Sequence, residues 1–247
     1  MCDPLDVLTF DSCVECCKET CKAKTTCTTE AVDIDIVIDT SLSISQEEWD
    51  AQVAFCVQFT NDLLAAQPQS RISLVSFDDD AILEATYSSD TTEIINRLGS
   101  IQFVPCMVSG ELTFGLDCEN VDPQTGNLVQ PRSTNWGSAF SLIVDTLRPQ
   151  RRSGVSSAVV FITDGPPSDD ASFEVAKQHA DILKAGGDSI FTAFVKGSDP
   201  LNLGFFIAEP QINEISSGDG YHFSSDNYDA LNDAVFASSL LFGITCD

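Results

Sequence analysis

Positive charge is what this chain has least of: 12 lysines and arginines stand against 38 acidic residues in 247, for a formal net charge of -26. Such a field repels phosphate backbones and anionic lipid, which argues against nucleic acid or a membrane surface as partner, and it attracts cations. No apolar run approaches the roughly 20 residues that span a bilayer, so membrane insertion by this chain is not expected. No G-x-G-x-x-G follows the first apolar strand pattern, which removes backbone cradling of a dinucleotide phosphate. The C-x2-C step from Cys13 to Cys16 has no second C-x2-C and no nearby histidine to complete a zinc site. The only histidines, His179 and His222, fall in a helix pattern and a strand pattern. N-x-S/T sequons are absent as well, so glycosylation offers no sign of secretion.

What is present bounds the chain to one large domain with an appendage, since 43% hydrophobic residues over this length can bury a full core. Residues 1–30 are polar and hold six of the ten cysteines, Cys2, Cys13, Cys16, Cys17, Cys21 and Cys27. Too poor in apolar side chains for a core, they read as a Cys-rich extension that needs staples. Residues 31–247 read as the domain, with an inserted loop over 102–133. Disulfides and an oxidising compartment are expected, hence a secreted protein or the extracellular part of a cell-surface protein. Met1-Cys2-Asp3 lacks the basic start and apolar centre of a signal peptide, so a mature or excised form is expected.

The apolar run Ile34, Ile36, Val37, Ile38 reads as a central parallel strand covered on both faces. A buried helix is expected over 46–66, carrying Trp49, Val53, Phe55, Cys56, Val57, Phe59, Thr60, Leu63 and Leu64. Strands at 71–77 and 81–87 flank Asp78-Asp79-Asp80 as a hairpin, with the aspartates in a solvated turn. A short helix follows from Thr91 to Ile101. Beyond the insertion, Trp136, Phe140, Ile143, Val144 and Leu147 mark a helix beginning after Thr134-Asn135. A second buried strand, 158–165, ends in Asp164. A helix then stops at Gly186-Gly187, a strand covers 189–195, a helical or irregular stretch runs to Ser217, a short strand covers 221–223 and a helix 228–242. Strand and helix alternate, so the fold class is α/β: doubly wound, with a mostly parallel central sheet, one antiparallel edge strand and helices on both faces. Both termini of such a sheet lie at one end, which suggests Cys27 to Cys246. Cys106 to Cys118 is the local pair, leaving Cys56 for a head cysteine.

The first strand runs straight into Asp39, Ser41 and Ser43, a D-x-S-x-S set of hard oxygens. Its place at the carboxyl end of a central strand is where ligands bind in open α/β sheets. Hard oxygens in this number suit magnesium, or manganese, and calcium less well. The same residues also read as helix caps, because Ser45 and Glu48 form an S-x-x-E capping box.

The order D-I-V-I-D-T-S-L-S-I-S, L-V-S-F-D-D-D-A-I-L-E, S-T-N-W-G-S-A-F, V-V-F-I-T-D-G-P-P and Y-H-F-S-S-D-N-Y-D-A-L resembles a von Willebrand factor A, or integrin I-type, domain over residues 31 to about 243. That resemblance implies a Rossmann-like fold and a metal-ion-dependent adhesion site (MIDAS) at Asp39, Ser41, Ser43, Thr134 and Asp164. Ser41, Ser43 and Thr134 would ligate the ion directly, Asp39 and Asp164 mainly through water. It implies an extracellular adhesion or matrix-binding module whose protein partner presents an exposed Asp or Glu. A structural matrix unit with an unused metal site, or a metal-assisted hydrolase, are the alternatives; neither histidine lies near the site to serve as base, so an enzyme is not expected. The insertion enters Thr134 directly, which makes Phe103, Met107, Val108, Leu112 and Phe114 candidate partner contacts.

Overall fold

The computed structural model describes residues 30–41, 43–103, 133–195, 203–218 and 220–225, together with Leu240 and Ile244. Its strands are β1 (Val32–Asp39), β2 (Arg71–Phe77), β3 (Ala81–Ser88), β4 (Ser156–Thr163), β5 (Ser189–Val195) and β6 (His222–Ser225). The helices are α1 (Gln46–Ala66), α2 (Thr91–Leu98), α3 (Trp136–Leu142), α4 (Asp170–Ala185) and α5 (Leu203–Ile215). One sheet contains all six strands in the order β3-β2-β1-β4-β5-β6. Every pairing is parallel except that of β2 with the edge strand β3. This is the architecture that the alternation of strands and helices predicts.

Side-chain alternation along β1 divides the core into two layers. Val32, Ile34, Ile36 and Ile38 meet Phe55, Phe59 and Leu63 of α1 and Ile94 and Leu98 of α2. On the other face Val37 meets Trp136 and Phe140 of α3 and Phe173, Ala176 and Leu183 of α4. Each large side chain so buried contributes about 1.5–3 kcal/mol, which is why these stripes dictate which face of each element turns inward. Leu240 and Ile244 are buried against the first layer; the other residues of the helix expected over 228–242 lie outside the described residues.

Two expectations change. The apolar run of β1 is less continuous than it reads, because Asp33 and Asp35 are fully buried on the α3/α4 side. Arginines make this tolerable: Asp33 takes hydrogen bonds from Arg71 and Arg152, and Asp35 takes them from Ser73 and Arg151. Cys56, expected to bind a head cysteine, is instead a free thiol, fully buried between α1 and the sheet. Cys27, Cys106, Cys118 and Cys246 lie outside the described residues.

Local chemistry explains the element ends that matter for the site. Ser45 caps α1, its hydroxyl accepting from Glu48 N at 3.3 Å while Ser45 N donates to Glu48 Oε2 at 2.8 Å. That fixes the exit of the 40–45 loop. The helix after Trp136 loosens into a π turn at Ile143–Leu147 and a 3-10 turn at Arg148–Gln150. Pro149 accounts for the ending, since it lacks an N–H and disfavours helix in the residue before it.

Candidate metal centre

The sheet order reverses between β1 and β4, and a crevice opens at the carboxyl ends of such a pair. Asp39 closes β1 there, and Asp164 follows β4 by one residue. Asp39 is fully buried: Oδ1 accepts from Ser41 N at 2.8 Å and Oδ2 from Thr163 Oγ1 at 2.6 Å. Its carbonyl accepts from Gln52 Nε2 of α1 at 3.0 Å. Thr40 pins the same loop to β2, donating from N and Oγ1 to Phe77 O. The loop then doubles back, so that Ser41 Oγ sits 3.0 Å from Ser43 Oγ, and Ser43 Oγ donates to Asp164 Oδ1 at 2.7 Å.

Thr134 enters from a third segment. Its N donates to Ser168 Oγ at 2.7 Å and its carbonyl accepts from Ser168 N at 3.0 Å, which ties it to the loop that carries Asp164. Thr134 Oγ1 is 4.0 Å from the point where a Cβ on Gly165 would stand. The four oxygen-bearing residues 39, 41, 43 and 164 therefore form one hydrogen-bonded cluster, and Thr134 lies beside it. Trp136, Asn135 and Ser172 secure the far side: Asn135 Oδ1 caps α3 through Ser138 N and accepts from Ser172 Oγ of α4.

Electrostatics distinguishes this pair of carboxylates from the other buried ones. Burial pushes the Asp39 carboxyl up to about 6, against hydrogen bonds from Ser41 and Thr163 that favour its charged form, and Asp78 adds to the rise. Asp164 is raised well above the ordinary carboxylate range by burial first, then by Asp39 and Glu48. Asp33, Asp35 and Asp188 each lie against an arginine. No lysine or arginine forms an ion pair with Asp39 or Asp164 among the described residues. Two buried carboxylates, three hydroxyls and no cationic side chain fit a small hard cation, which prefers oxygen and tolerates few carboxylates. Among the described residues no group of three or more His, Cys, Asp or Glu is arranged for a metal, so the oxygens of this cluster are hydroxyls as much as carboxylates.

Other expected contacts fall differently. Phe103 is half-buried and stacks on Trp49 of α1, centroids 4.7 Å apart and planes 10° from parallel. Met107, Val108, Leu112 and Phe114 lie outside the described residues. His179 hydrogen-bonds the Val175 carbonyl on its own helix, and His222 bonds Thr192 Oγ1. Sequence reasoning missed Gln52, Thr163, Asp79 and Ser168. Gln52 had a signal, a fully buried polar residue in the apolar stripe of α1 three residues after Trp49.

Residues 34–166, more than half of the chain, match the profile of the von Willebrand factor type A domain. The chain belongs to that family. By sequence, no curated protein matches it. Among solved structures it is similar to proximal thread matrix protein 1 of the mussel byssus, at TM-score 0.63 and 16% identity over 89% of this chain and 47% of that one. Another structure of the mussel protein has a zinc-occupied MIDAS motif, at TM-score 0.61 and 16% identity over 87% of this chain and 46% of that one. It is also similar to the vWF domain of the type V pili tip protein Mfa5 from Porphyromonas gingivalis, at TM-score 0.61 and 12% identity over 88% and 97%. The pilus adhesin SpaC from Lactobacillus rhamnosus GG gives TM-score 0.60 and 13% identity over 87% and 30%. This chain thus spans about half the length of the mussel protein, and identities this low speak for the fold alone.

Proposed function

We propose that this domain is an extracellular adhesion or matrix-binding module that captures a carboxylate of a protein partner through a divalent cation, magnesium or manganese, with calcium less suited. The observation that carries the reading is the pair of buried carboxylates, Asp39 and Asp164, joined to serine hydroxyls at the sheet's switch point with no cationic side chain paired to them among the described residues. Ser41, Ser43 and Thr134 offer neutral oxygens as direct ligands. Asp39 and Asp164 act mainly through water, which leaves residual positive charge on a bound ion for an anionic oxygen of the partner. Thr163 and Ser41 N hold the Asp39 carboxylate in one orientation, and Gln52 holds its backbone. The histidines, both bonded within other elements, support a non-enzymatic reading.

The insertion 102–133 is assigned partner choice, since its described ends attach at this rim, Phe103 on Trp49 and Ser133 on Asp79. A structural matrix unit with an unused metal site is the second reading, favoured by the likeness to a byssal matrix protein. Calorimetric titration with Mn2+ tests the first. The wild-type chain should bind one ion and Asp39→Ala none, with circular dichroism unchanged. Equal binding by both would remove the ion from this cluster. An acidic peptide that binds with Mn2+ and is released by chelator separates the adhesive from the structural reading.

A further inference from the structure

The turn Asp78-Asp79-Asp80 reads from sequence as a solvated bend, and in the metal site as described only Asp78 takes part, through its charge on Asp39. Yet the turn supports the Thr134 segment, the irregular stretch that leads into α3. Asp79 Oδ1 accepts from Ser133 N at 2.7 Å and from Ser133 Oγ at 2.6 Å. Asp79 O accepts from Asn135 Nδ2 at 2.8 Å, and Asp78 O accepts from Asn135 N at 2.8 Å. Thr134 is bracketed on both sides. Residues 133–135 are irregular and half-exposed, so packing does not fix them.

We propose that Asp79 is a positioning residue for the metal site: by holding Ser133 and Asn135 it keeps the Thr134 hydroxyl beside Asp164 and so sets cation affinity without touching the ion. This rests on the metal-binding reading above. A single carboxylate oxygen receiving two donors at 2.6–2.7 Å makes charge-assisted bonds, stronger than those an uncharged acceptor makes. The clamp also explains how Thr134 can be placed in register directly after a long insertion. The β2–β3 hairpin is anchored in the sheet by its antiparallel ladder, and it hands that rigidity to the Thr134 segment.

The test uses the full chain with Asp79→Ala and Asp79→Asn. Three quantities are read: Mn2+ affinity by calorimetry, melting of the metal-free protein, and amide exchange at Ser133 and Thr134. Asp79→Ala should weaken Mn2+ by about tenfold or more, and Asp79→Asn, which keeps an acceptor oxygen, should recover most of it. Metal-free melting should move by no more than about 2 °C, the range of an exposed substitution in a domain of this size. Exchange at Ser133 should accelerate in Asp79→Ala. Wild-type Mn2+ affinity in Asp79→Ala overturns the proposal, as does a fall in melting temperature large enough to account for the weakening. If the wild-type chain itself binds no Mn2+, it is the metal reading that fails. The clamp is then decided by exchange alone, with unchanged rates at Ser133 and Thr134 in Asp79→Ala sinking it.

Discussion

Single residues show where chemistry is local and where it is not. Asp39, Ser41 and Ser43 are legible because they are contiguous at the end of an apolar strand, and a strand end is a position with a meaning. Thr163 holds the Asp39 carboxylate and Gln52 its backbone carbonyl, from 124 and 13 residues away, and nothing beside the D-x-S-x-S run announces either. Cys56 was misread for a related reason. Cysteine counts speak of pairing, but the helical stripe puts Cys56 at 0% exposure among Phe55, Phe59 and Leu63, and burial raises its thiol pKa strongly. A buried thiol with little thiolate is inert. Native protein should therefore leave Cys56 unmodified by a thiol reagent at pH 8, and unfolding should expose it; rapid native labelling mapped to Cys56 would contradict the burial. Cys56→Ala should cost about 1–2 kcal/mol in denaturant unfolding, the small cavity of a lost sulfur.

At the scale of elements, strands and helices were readable from periodicity, and their polar attachments were not. The strands expected at 71–77 and 189–195 have those bounds in the fold, and α1 begins and ends where its capping box and apolar stripe place it. The arginines that neutralise β1 were invisible, because Arg151 and Arg152 stand in an irregular turn that only the sheet brings beside Asp33 and Asp35. Asp33 makes the consequence measurable. Burial raises its carboxyl, but hydrogen bonds from Arg71, from the Arg152 guanidinium and from Arg152 N outweigh burial and hold it below the usual value of 3.8. A lowered folded pKa means that the charged form is the one folding favours. Its stabilisation is therefore present above pH 4 and is lost as pH falls through the depressed folded pKa. Asp33→Asn keeps the shape and removes the charge, so at pH 7 it should lose about 2–3 kcal/mol, below the full cost of an orphaned buried charge because the arginines reach water. The gap between variant and wild type should be smaller at pH 3 than at pH 7. Urea unfolding at both pH values checks this, and taking the difference cancels the relief of general charge repulsion that acid brings to both proteins. A gap that stays constant would mean that folding leaves the Asp33 carboxyl unshifted.

At the scale of the whole molecule, the described residues sort their charge by pole. Arg71, Arg148, Arg151 and Arg152 engage Asp33, Asp35 and Asp188 at the amino ends of β1, β4 and β5. The segments around the metal cluster carry Glu47, Glu48, Asp50, Asp78, Asp79, Asp80, Asp169 and Asp170, and the stretches 43–50, 78–80, 133–135 and 164–170 contain no lysine or arginine. Asp78 and Glu48 are close enough to raise Asp39 and Asp164 respectively. A divalent ion would only neutralise the two buried carboxylates, so an incoming acid meets attraction at the ion and repulsion from the rim. Screening acts on the two unequally: the rim is exposed and its field decays over roughly 8–10 Å at physiological salt, while a contact inside the cluster is hardly screened. Salt should therefore strengthen binding of a short peptide whose single Asp is flanked by Glu, measured at saturating Mn2+ between 0.05 and 0.5 M NaCl. A peptide with the same Asp flanked by Lys should bind more tightly at low salt and lose affinity over that range, because its flanks are drawn to the rim. Mn2+ itself should bind less tightly as salt rises, which is corrected for by keeping it saturating. Opposite slopes for the two peptides are the expected result; slopes of the same sign would mean that the rim carboxylates do not face the bound ligand, and that selection among acidic partners is made elsewhere on this face.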